Sequence, residues 1–93
     1  MSALEGTRVI DVSTGIAGGF CTKLLADFGA DVIKVEPLGG GGLRDFGPFA
    51  DPASASETGA LHLYLNTGKR SITLDLGTPA GQALLARLLT DAD

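Results

Sequence analysis

The sequence has one cysteine, one histidine and no tryptophan, and these shortages exclude several classes of protein. Cys21 has no second thiol for an internal disulfide, and one thiol with the lone His62 falls short of the four ligands of a structural zinc site. No run approaches the roughly 18 consecutive apolar residues of a membrane-spanning helix, and residues 1–8 lead into a strand-like run instead of a signal peptide. We therefore expect a cytoplasmic chain that is held together by packing alone.

Positive charge is also scarce. Seven Lys and Arg against 11 Asp and Glu give a net charge of -4 over 93 residues, which argues against nucleic acid or an anionic membrane as a partner. Apolar residues make up 44% of the chain, enough for one small folded unit. A chain of this length buries only about 60–68% of its unfolded surface, so we expect it to be marginally stable unless it packs against something else.

Strand-like and helix-like patterns alternate in the first third of the chain and predict an α/β fold. Residues 7–12 and 31–36 are rich in Val and Ile and are predicted strands. Between them, the apolar residues of 18–28 follow helical spacing, and Gly29 suits a left-handed helix cap. A strand, a helix and a second strand with short links make one right-handed βαβ crossover, which implies a parallel sheet.

The middle of the chain is less regular. Residues 37–57 contain four glycines in a row and no consistent period, so they predict a long loop that is either functional or disordered. Residues 61–66 alternate leucine with polar side chains or tyrosine, a pattern that fits a strand or a short helix.

The last third returns to clear signals. Residues 71–76 predict a strand, and Thr78 followed by Pro79 predicts the start of a helix with threonine as its cap. The chain ends at Asp93, where an α/β pattern would begin its next strand. We therefore expect these residues to be part of a larger protein.

The turn over residues 13–19 is a candidate ligand site because ligands of open parallel sheets bind beyond the carboxyl ends of the strands. Its three glycines would let a ligand approach the backbone, next to the positive end of a helix. A plain strand-to-helix turn explains the pattern equally well. The dinucleotide fingerprint fails, because its second and third glycines meet Ala17 and Phe20. Glu36 lies where such folds place a ribose-binding acid, but a solvated strand-end carboxylate is the commoner explanation.

Two adjacent cations, Lys69 and Arg70, precede a predicted strand and suit a phosphate-rich ligand. From the residues alone, a solvated charge pair is favoured over a ligand site. Residues 66–68 form a turn that could also reach a ligand, and Arg44 is a third candidate cation. The segment resembles a phosphate loop but lacks the glycine and the hydroxyl of the Walker motif.

No catalytic group stands out. His62 fits an exposed strand histidine, and Cys21, on the apolar side of the first predicted helix, fits a buried inert thiol. The aspartates show no spacing that brings two of them together; they are Asp11, Asp27, Asp31, Asp45, Asp51 and Asp75.

Four blocks in order nevertheless resemble the amino-terminal portion of a family III coenzyme A transferase of the CaiB/BaiF type. The blocks are residues 4–11, 16–21, 24–37 and 66–76, with Gly-Ala-Asp-Val-Ile-Lys-Val-Glu and Gly-Lys-Arg-Ser-Ile-Thr-Leu-Asp-Leu as the specific parts. The resemblance implies that this chain is a Rossmann-like fragment of a larger domain. It also implies that the chain is about the first quarter of a subunit, and that two such subunits form an interlocked homodimer.

The resemblance also implies coenzyme A or acyl-CoA as substrate, a carboxylic acid as acceptor, and no tightly bound cofactor or metal. It implies contacts to coenzyme A from the turn after the first strand, the end of the second strand and the block before the third. With Arg44 added as a cation, the candidate residues are Ile16, Ala17, Gly18, Pro37, Leu38, Arg44, Asn66, Thr67, Gly68, Lys69 and Arg70. Pro37 replaces an arginine of some members and Gly19 replaces a proline, which removes a phosphate contact and some rigidity.

In such transferases an aspartate attacks the thioester to give a mixed anhydride and a CoA thiolate. The thiolate returns to form an enzyme-bound thioester, and the acceptor carboxylate then takes the CoA. The resemblance places this aspartate beyond Asp93.

An α-methylacyl-CoA racemase is the second hypothesis within the superfamily. Asn66 favours the transferase, because racemases tend to have glycine at that position. Two hypotheses from different classes also stay open at this point: an inactive truncated chain, and a dinucleotide-binding module that rests on Glu36 alone.

Overall fold

Residues 2–93, apart from the side chain of Ser56, are described by the computed structural model, which confirms the α/β fold. They contain one sheet of three parallel strands, in the order β1-β2-β3. In chain order the strands are β1 (Arg8–Asp11), β2 (Asp31–Glu36) and β3 (Arg70–Thr73). β2 lies in the centre, with Asp11 opposite Lys34 on one side and Ile33 opposite Arg70 on the other. β1 and β3 are both shorter than the sequence predicted.

Four α-helices accompany the sheet within the described residues: α1 (Ile16–Asp27), α2 (Ala55–Thr58), α3 (Ala60–Leu65) and α4 (Pro79–Thr90). α1 makes the predicted crossover from β1 to β2. After it the chain turns through Gly29, whose φ of 105° is a left-handed conformation that favours glycine. The side chain of Thr78 accepts a hydrogen bond from the Gly81 N–H and so caps α4, as predicted. None of the described helices is long and apolar enough to cross a membrane.

The prediction of a structureless loop over residues 37–57 is wrong. This segment contains two 3₁₀ turns, Gly42–Asp45 and Pro52–Ser54, and most of α2. Leu43 is only 3% exposed and anchors the first turn in the core, and the carboxylate of Asp51 accepts from the Ala53 N–H and caps the second. These short elements need only one apolar anchor or one cap each, so they produce no sequence period.

The ambiguous residues 61–66 fall mostly in a helix. Leu65 of α3 is 3% exposed, whereas Leu63 and Tyr64 are at least half exposed. A short surface helix needs only about one buried apolar residue per turn to pack against the core. The alternation of residues in the sequence therefore does not reflect a strand.

The side of α1 that faces the sheet is not the apolar side that the sequence predicted. Large apolar residues spaced by about one helical turn are 41–58% exposed; they are Ile16, Phe20, Leu24 and Phe28. Cys21 is exposed as well, so the prediction of a buried thiol is wrong. α1 instead packs through its small residues, with Gly19 buried. On the same side, the Thr22 hydroxyl of α1 donates a hydrogen bond to the Asp11 carboxylate of β1 at 2.6 Å.

The core is centred on β2, where Val32, Ile33 and Val35 are at most 6% exposed. β2 also carries two buried charges, Lys34 and Glu36, each 6% exposed. Since side chains alternate along a strand, both charges point to the same face of the sheet. These charges and their partners organise the candidate site.

Candidate functional site

Two glycine-containing segments meet at the carboxyl ends of β1 and β2. A Cβ atom at Gly42 would lie 3.1 Å from the carbonyl oxygen of Thr14, so the loop after β2 rests directly on the turn after β1. A small cavity of about 20 Å³ between them is lined by Ser13, Pro37 and Asn66 among others. The structure therefore brings Pro37, Arg44 and Asn66, three of the candidate residues, to one interior space.

The start of α1 lies at this edge of the sheet. Ile16 and Ala17 are exposed in its first turn, whose N–H groups have no partners within the helix. Gly15 caps the helix without a side-chain hydrogen bond, and the space beside it is open. Exposed backbone donors at a helix start suit an anionic group.

Gly18 and Gly19 serve the packing of the protein itself. A Cβ atom at Gly18 would overlap the side chain of Ser13, and one at Gly19 would lie 2.8 Å from Cδ1 of Leu43. Packing alone therefore requires glycine at both positions, and the interpretation of these glycines as an approach for a ligand stays a prediction.

The carboxylate of Asp11 is the centre of a buried hydrogen-bond network. It accepts from the Ser13 N–H at 2.8 Å, from the Ser13 hydroxyl at 2.6 Å, from the Thr22 hydroxyl at 2.6 Å and from Lys69 Nζ at 3.1 Å. The side chains of Asp11 and Lys69 are each 1% exposed. One carboxylate thus joins β1, the turn after it, α1 and the block before β3.

Lys69 is enclosed by acceptors. Besides Asp11, its Nζ donates to the Gly19 carbonyl at 3.1 Å and to Asn66 Oδ1 at 3.0 Å, so its three hydrogens all have acceptors. Burial lowers the pKa of Lys69, and the Asp11 carboxylate opposes that shift. The interpretation of Lys69 as part of a solvated charge pair is therefore wrong. In this geometry a ligand would contact the backbone of Lys69 instead of its ammonium group.

A second ammonium faces the same carboxylate. Lys34 Nζ lies 3.7 Å from Asp11 Oδ1 and donates a hydrogen bond to the Ser13 carbonyl. Burial by itself would raise the pKa of Asp11, but the hydrogen bonds from Ser13, Thr22 and Lys69 prevail and lower the pKa from 3.8 to about 2. Asp11 is therefore a fixed anion at neutral pH.

Glu36 and Arg44 form a second network on the same face of the sheet. Arg44 Nε lies 2.5 Å from Glu36 Oε2 and its Nη2 lies 3.0 Å from Oε1, while the Ser71 hydroxyl donates to Oε1 at 2.7 Å. Arg44 Nη1 is also 3.5 Å from a carboxylate oxygen of Glu57. These residues line a polar cleft of about 400 Å³ together with Gly39, Gly40 and Thr73.

Glu36 is consequently no solvated strand-end carboxylate, and that interpretation is wrong. The hydrogen bonds from Arg44 lower the pKa of Glu36 against the effect of burial. Its two oxygens already accept from a guanidinium and a hydroxyl, so the role of a ribose-binding acid has no support in this geometry.

Arg70 lies away from the other candidates. Its Nε and Nη2 donate to the two oxygens of Asp31 at 3.0 and 2.6 Å, and its side chain is 64% exposed. The guanidinium of Arg70 lowers the pKa of Asp31. Asp31 begins β2 and Pro37 follows its end, so at a rise of about 3.3 Å per residue the two ends are roughly 17 Å or more apart. The structure does not bring Arg70 together with Pro37 and Leu38.

The remaining candidates are at the surface. Leu38 is 69% exposed in the loop after β2. Thr67 and Gly68 lie in the turn between α3 and β3, where the Thr67 hydroxyl donates to the Leu63 carbonyl and Gly68 has a φ of 83°. This turn is joined to the rest of the site through Asn66 and Lys69.

His62 is part of α3 and half-buried, so the expectation of an exposed strand histidine is wrong. Its Nδ1 lies 2.9 Å from the Asn66 side-chain nitrogen, and burial followed by the charge of Arg44 lowers its pKa. Within residues 2–93 as described, no group of three His, Cys, Asp or Glu side chains could hold a metal ion.

Asp11, Lys34 and Ser71 are the residues that sequence reasoning missed. One signal was present: Lys34 and Glu36 are charged residues two positions apart in a predicted buried strand, so both had to find partners on one face. Their partners could not be named, because Asp11 and Ser71 belong to the two neighbouring strands and Arg44 to an irregular segment.

Comparison with known proteins identifies the family. Residues 4–93 match the CoA-transferase family III. The chain is 43% identical over 93 residues to a succinyl-CoA:mesaconate CoA-transferase of Haloarcula hispanica, covering 100% of this chain and 24% of that protein. It is 47% identical over 93 residues to a succinate–glutarate CoA-transferase of Agrobacterium fabrum, covering 97% of this chain and 23% of that protein.

A solved structure agrees with the sequence match. A CAIB/BAIF family protein from Brucella suis superposes with a TM-score of 0.87 at 40% identity, over 99% of this chain and 24% of that protein. The chain therefore spans about a quarter of the length of the relatives it matches. On the match of nearly its whole length, the chain belongs to CoA-transferase family III.

Proposed function

We propose that this chain is the part of a coenzyme A transferase that holds coenzyme A while it moves from an acyl-CoA donor to a carboxylic acid. The observation that carries the proposal is the family match over residues 4–93. The named relatives from Haloarcula hispanica and Agrobacterium fabrum are both CoA-transferases, which favours a transferase over a racemase.

The carboxyl edge of the sheet offers what a nucleotide ligand needs. The first turn of α1 supplies backbone donors for a phosphate group, and the exposed apolar side chains of Ile16 and Leu38 lie at the same edge. These features support a contact between this edge and the nucleotide part of coenzyme A. Ile16, Ala17, Pro37, Leu38 and the backbone of residues 66–69 are the contacts we propose.

The aspartate that forms the covalent intermediates belongs outside residues 1–93 in this proposal. Asp11, the buried aspartate of the site, supports that assignment, because its carboxylate is 1% exposed and already accepts four hydrogen bonds. A nucleophile must reach the thioester carbon with a free oxygen, which Asp11 cannot do.

A transfer assay tests the proposal. The protein at its natural length is incubated with succinyl-CoA and each of a set of mono- and dicarboxylic acids, and new acyl-CoA species are followed by mass spectrometry. We expect a new thioester with one acid and an equal amount of succinate. A parallel incubation replaces succinyl-CoA with a 2-methylacyl-CoA, and epimerisation of this substrate without any transfer would favour the racemase instead.

A further inference from the structure

Asp11 lies at the junction of two segments that are separate in the sequence. Its carboxylate accepts hydrogen bonds from Ser13, in the turn that leads into α1, and from Lys69, in the block that leads into β3. Lys69 also donates to the Gly19 carbonyl, and thus to α1 itself. Within the described residues, these polar contacts tie residues 66–69 to the turn that starts α1.

We propose that Asp11 is a positioning residue for coenzyme A binding, which holds the turn 13–18 and the block 66–69 in one arrangement without touching the ligand. The proposal rests on the proposed function, since both segments are there assigned to the coenzyme A site.

Burial separates this role from direct binding. With 1% of its side chain exposed, Asp11 cannot reach a ligand, and Lys69 has the same exposure. The effect of Asp11 on affinity must therefore pass through the segments that it holds. In Asp11→Asn the amide oxygen still accepts from Ser13, but the amide nitrogen replaces the oxygen that accepts from Thr22 and Lys69. Lys69 is left with two neutral acceptors, so the two segments lose their charged link.

The polar partners of Asp11 also explain the shape of α1. The Thr22 hydroxyl donates to Asp11 Oδ2 from the second turn of the helix, and Gly18 has no side chain where Ser13 passes. The first turn of α1, with Ile16 and Ala17, is consequently fixed relative to β1. A small rotation of this turn would redirect its backbone donors.

The test measures the dissociation constant of coenzyme A by calorimetry and the melting temperature of the natural-length protein, both for the wild type and for Asp11→Asn. Wild-type binding is required first, since its absence would refute the proposed function and not the role of Asp11. Given that binding, we expect Asp11→Asn to raise the dissociation constant about tenfold or more.

A double variant separates positioning from stability. Asp11→Asn with Lys69→Met removes one of the two buried ammonium groups that the loss of the carboxylate leaves without an anion. We expect the melting temperature to recover in part while the dissociation constant stays high, because the two segments remain unlinked. Recovery of affinity together with the melting temperature would overturn the proposal. So would an unchanged affinity in Asp11→Asn.

Two variants serve as controls. Asp27→Asn makes the same chemical change in an exposed ion pair of α1, with Lys23 at 2.7 Å, and should leave affinity unchanged. Val32→Ala opens a cavity in the core and should lower the melting temperature at unchanged affinity. If Asp11→Asn does not fold, Thr22→Val replaces it: loss of one hydrogen bond should raise the dissociation constant about threefold, and an unchanged value would overturn the proposal.

Discussion

Lys69 Nζ lies 3.1 Å from Asp11 Oδ2, although the two residues are 58 positions apart. Lys34 approaches the same carboxylate from the neighbouring strand, at 3.7 Å. One buried anion therefore faces two buried cations. The fold should therefore lose more stability when the anion is removed than when one of the two cations is removed.

Asp11→Asn should destabilise the fold more than Lys69→Met. Loss of the carboxylate leaves two buried ammonium groups without an anion, at a cost of about 3–5 kcal/mol. Loss of Lys69 leaves Asp11 with Lys34, Ser13 and Thr22, so we expect about 1–3 kcal/mol. Urea unfolding of both variants measures the difference, and the reverse order would show that Asp11 does not compensate both ammonium groups.

Acid should remove the contribution of Asp11 to stability. Its pKa is about 2 in the folded chain against an ordinary 3.8, so the unfolded chain binds more protons between these values. The stabilisation is complete above about pH 5, amounts to about 2 kcal/mol, and is lost as the pH falls through about 2. Carbon-detected NMR titration of the Asp11 carboxyl should give a midpoint near 2. A midpoint at the ordinary value would show that the network does not hold the anion.

The two glycines at the start of α1 should respond differently to alanine. Gly18→Ala places a methyl group on the Ser13 side chain and should cost about 1–3 kcal/mol as the helix is pushed away. Gly15→Ala meets open space at an extended φ of -112° and should cost less, at most about 1 kcal/mol for the change at the helix cap. Thermal unfolding compares the pair. Equal melting temperatures would mean that α1 does not pack as closely as described.

Arg44 should control the order of the glycine loop after β2. Among the described residues, Arg44→Ala leaves the buried Glu36 carboxylate with the Ser71 hydroxyl as its side-chain hydrogen-bond donor, so we expect a loss of about 1.5–3 kcal/mol and faster amide exchange over residues 39–45. Arg44→Lys keeps the charge but not the paired donors and should show an intermediate effect. Hydrogen exchange followed by mass spectrometry reports both. Unchanged exchange in Arg44→Ala would refute this role.

Arg70→Ala should leave stability nearly unchanged, because its pair with Asp31 is exposed and such pairs contribute at most about 1 kcal/mol. Arg70 is paired with Asp31 at the far end of β2 from Pro37 and Leu38, so we expect the dissociation constant of coenzyme A to stay unchanged as well. Calorimetric titration with coenzyme A measures this constant. A tenfold rise would mean that Arg70 contributes to the coenzyme A site after all.

Local patterns were enough to predict the fold. β1, α1 and β2 were predicted within two residues at each end, because strand composition, helical spacing and a glycine cap all act over a few neighbours. The threonine and proline at the start of α4 were predicted correctly for the same reason. The short elements within residues 37–57 were missed because each depends on a single anchor or cap.

The site was harder to predict because its partners are distant in the sequence. Spacing could not show that Asp11 would meet Lys69, and the apolar residues of α1 favoured the wrong side of that helix. Gly18 and Gly19 were interpreted as an approach for a ligand, and spacing could not show that they also make room for Ser13 and Leu43. In each case, tertiary contacts decided which of two locally acceptable arrangements formed.

Hydrogen exchange of the natural-length protein, with and without coenzyme A, reports which backbone segments contact the ligand. We expect coenzyme A to slow amide exchange in residues 13–18, at 38, and in 66–69, while the exposed end of α4 is unaffected. Saturable binding without protection in any of these segments would contradict the proposed site. Absence of binding would contradict the proposed function itself.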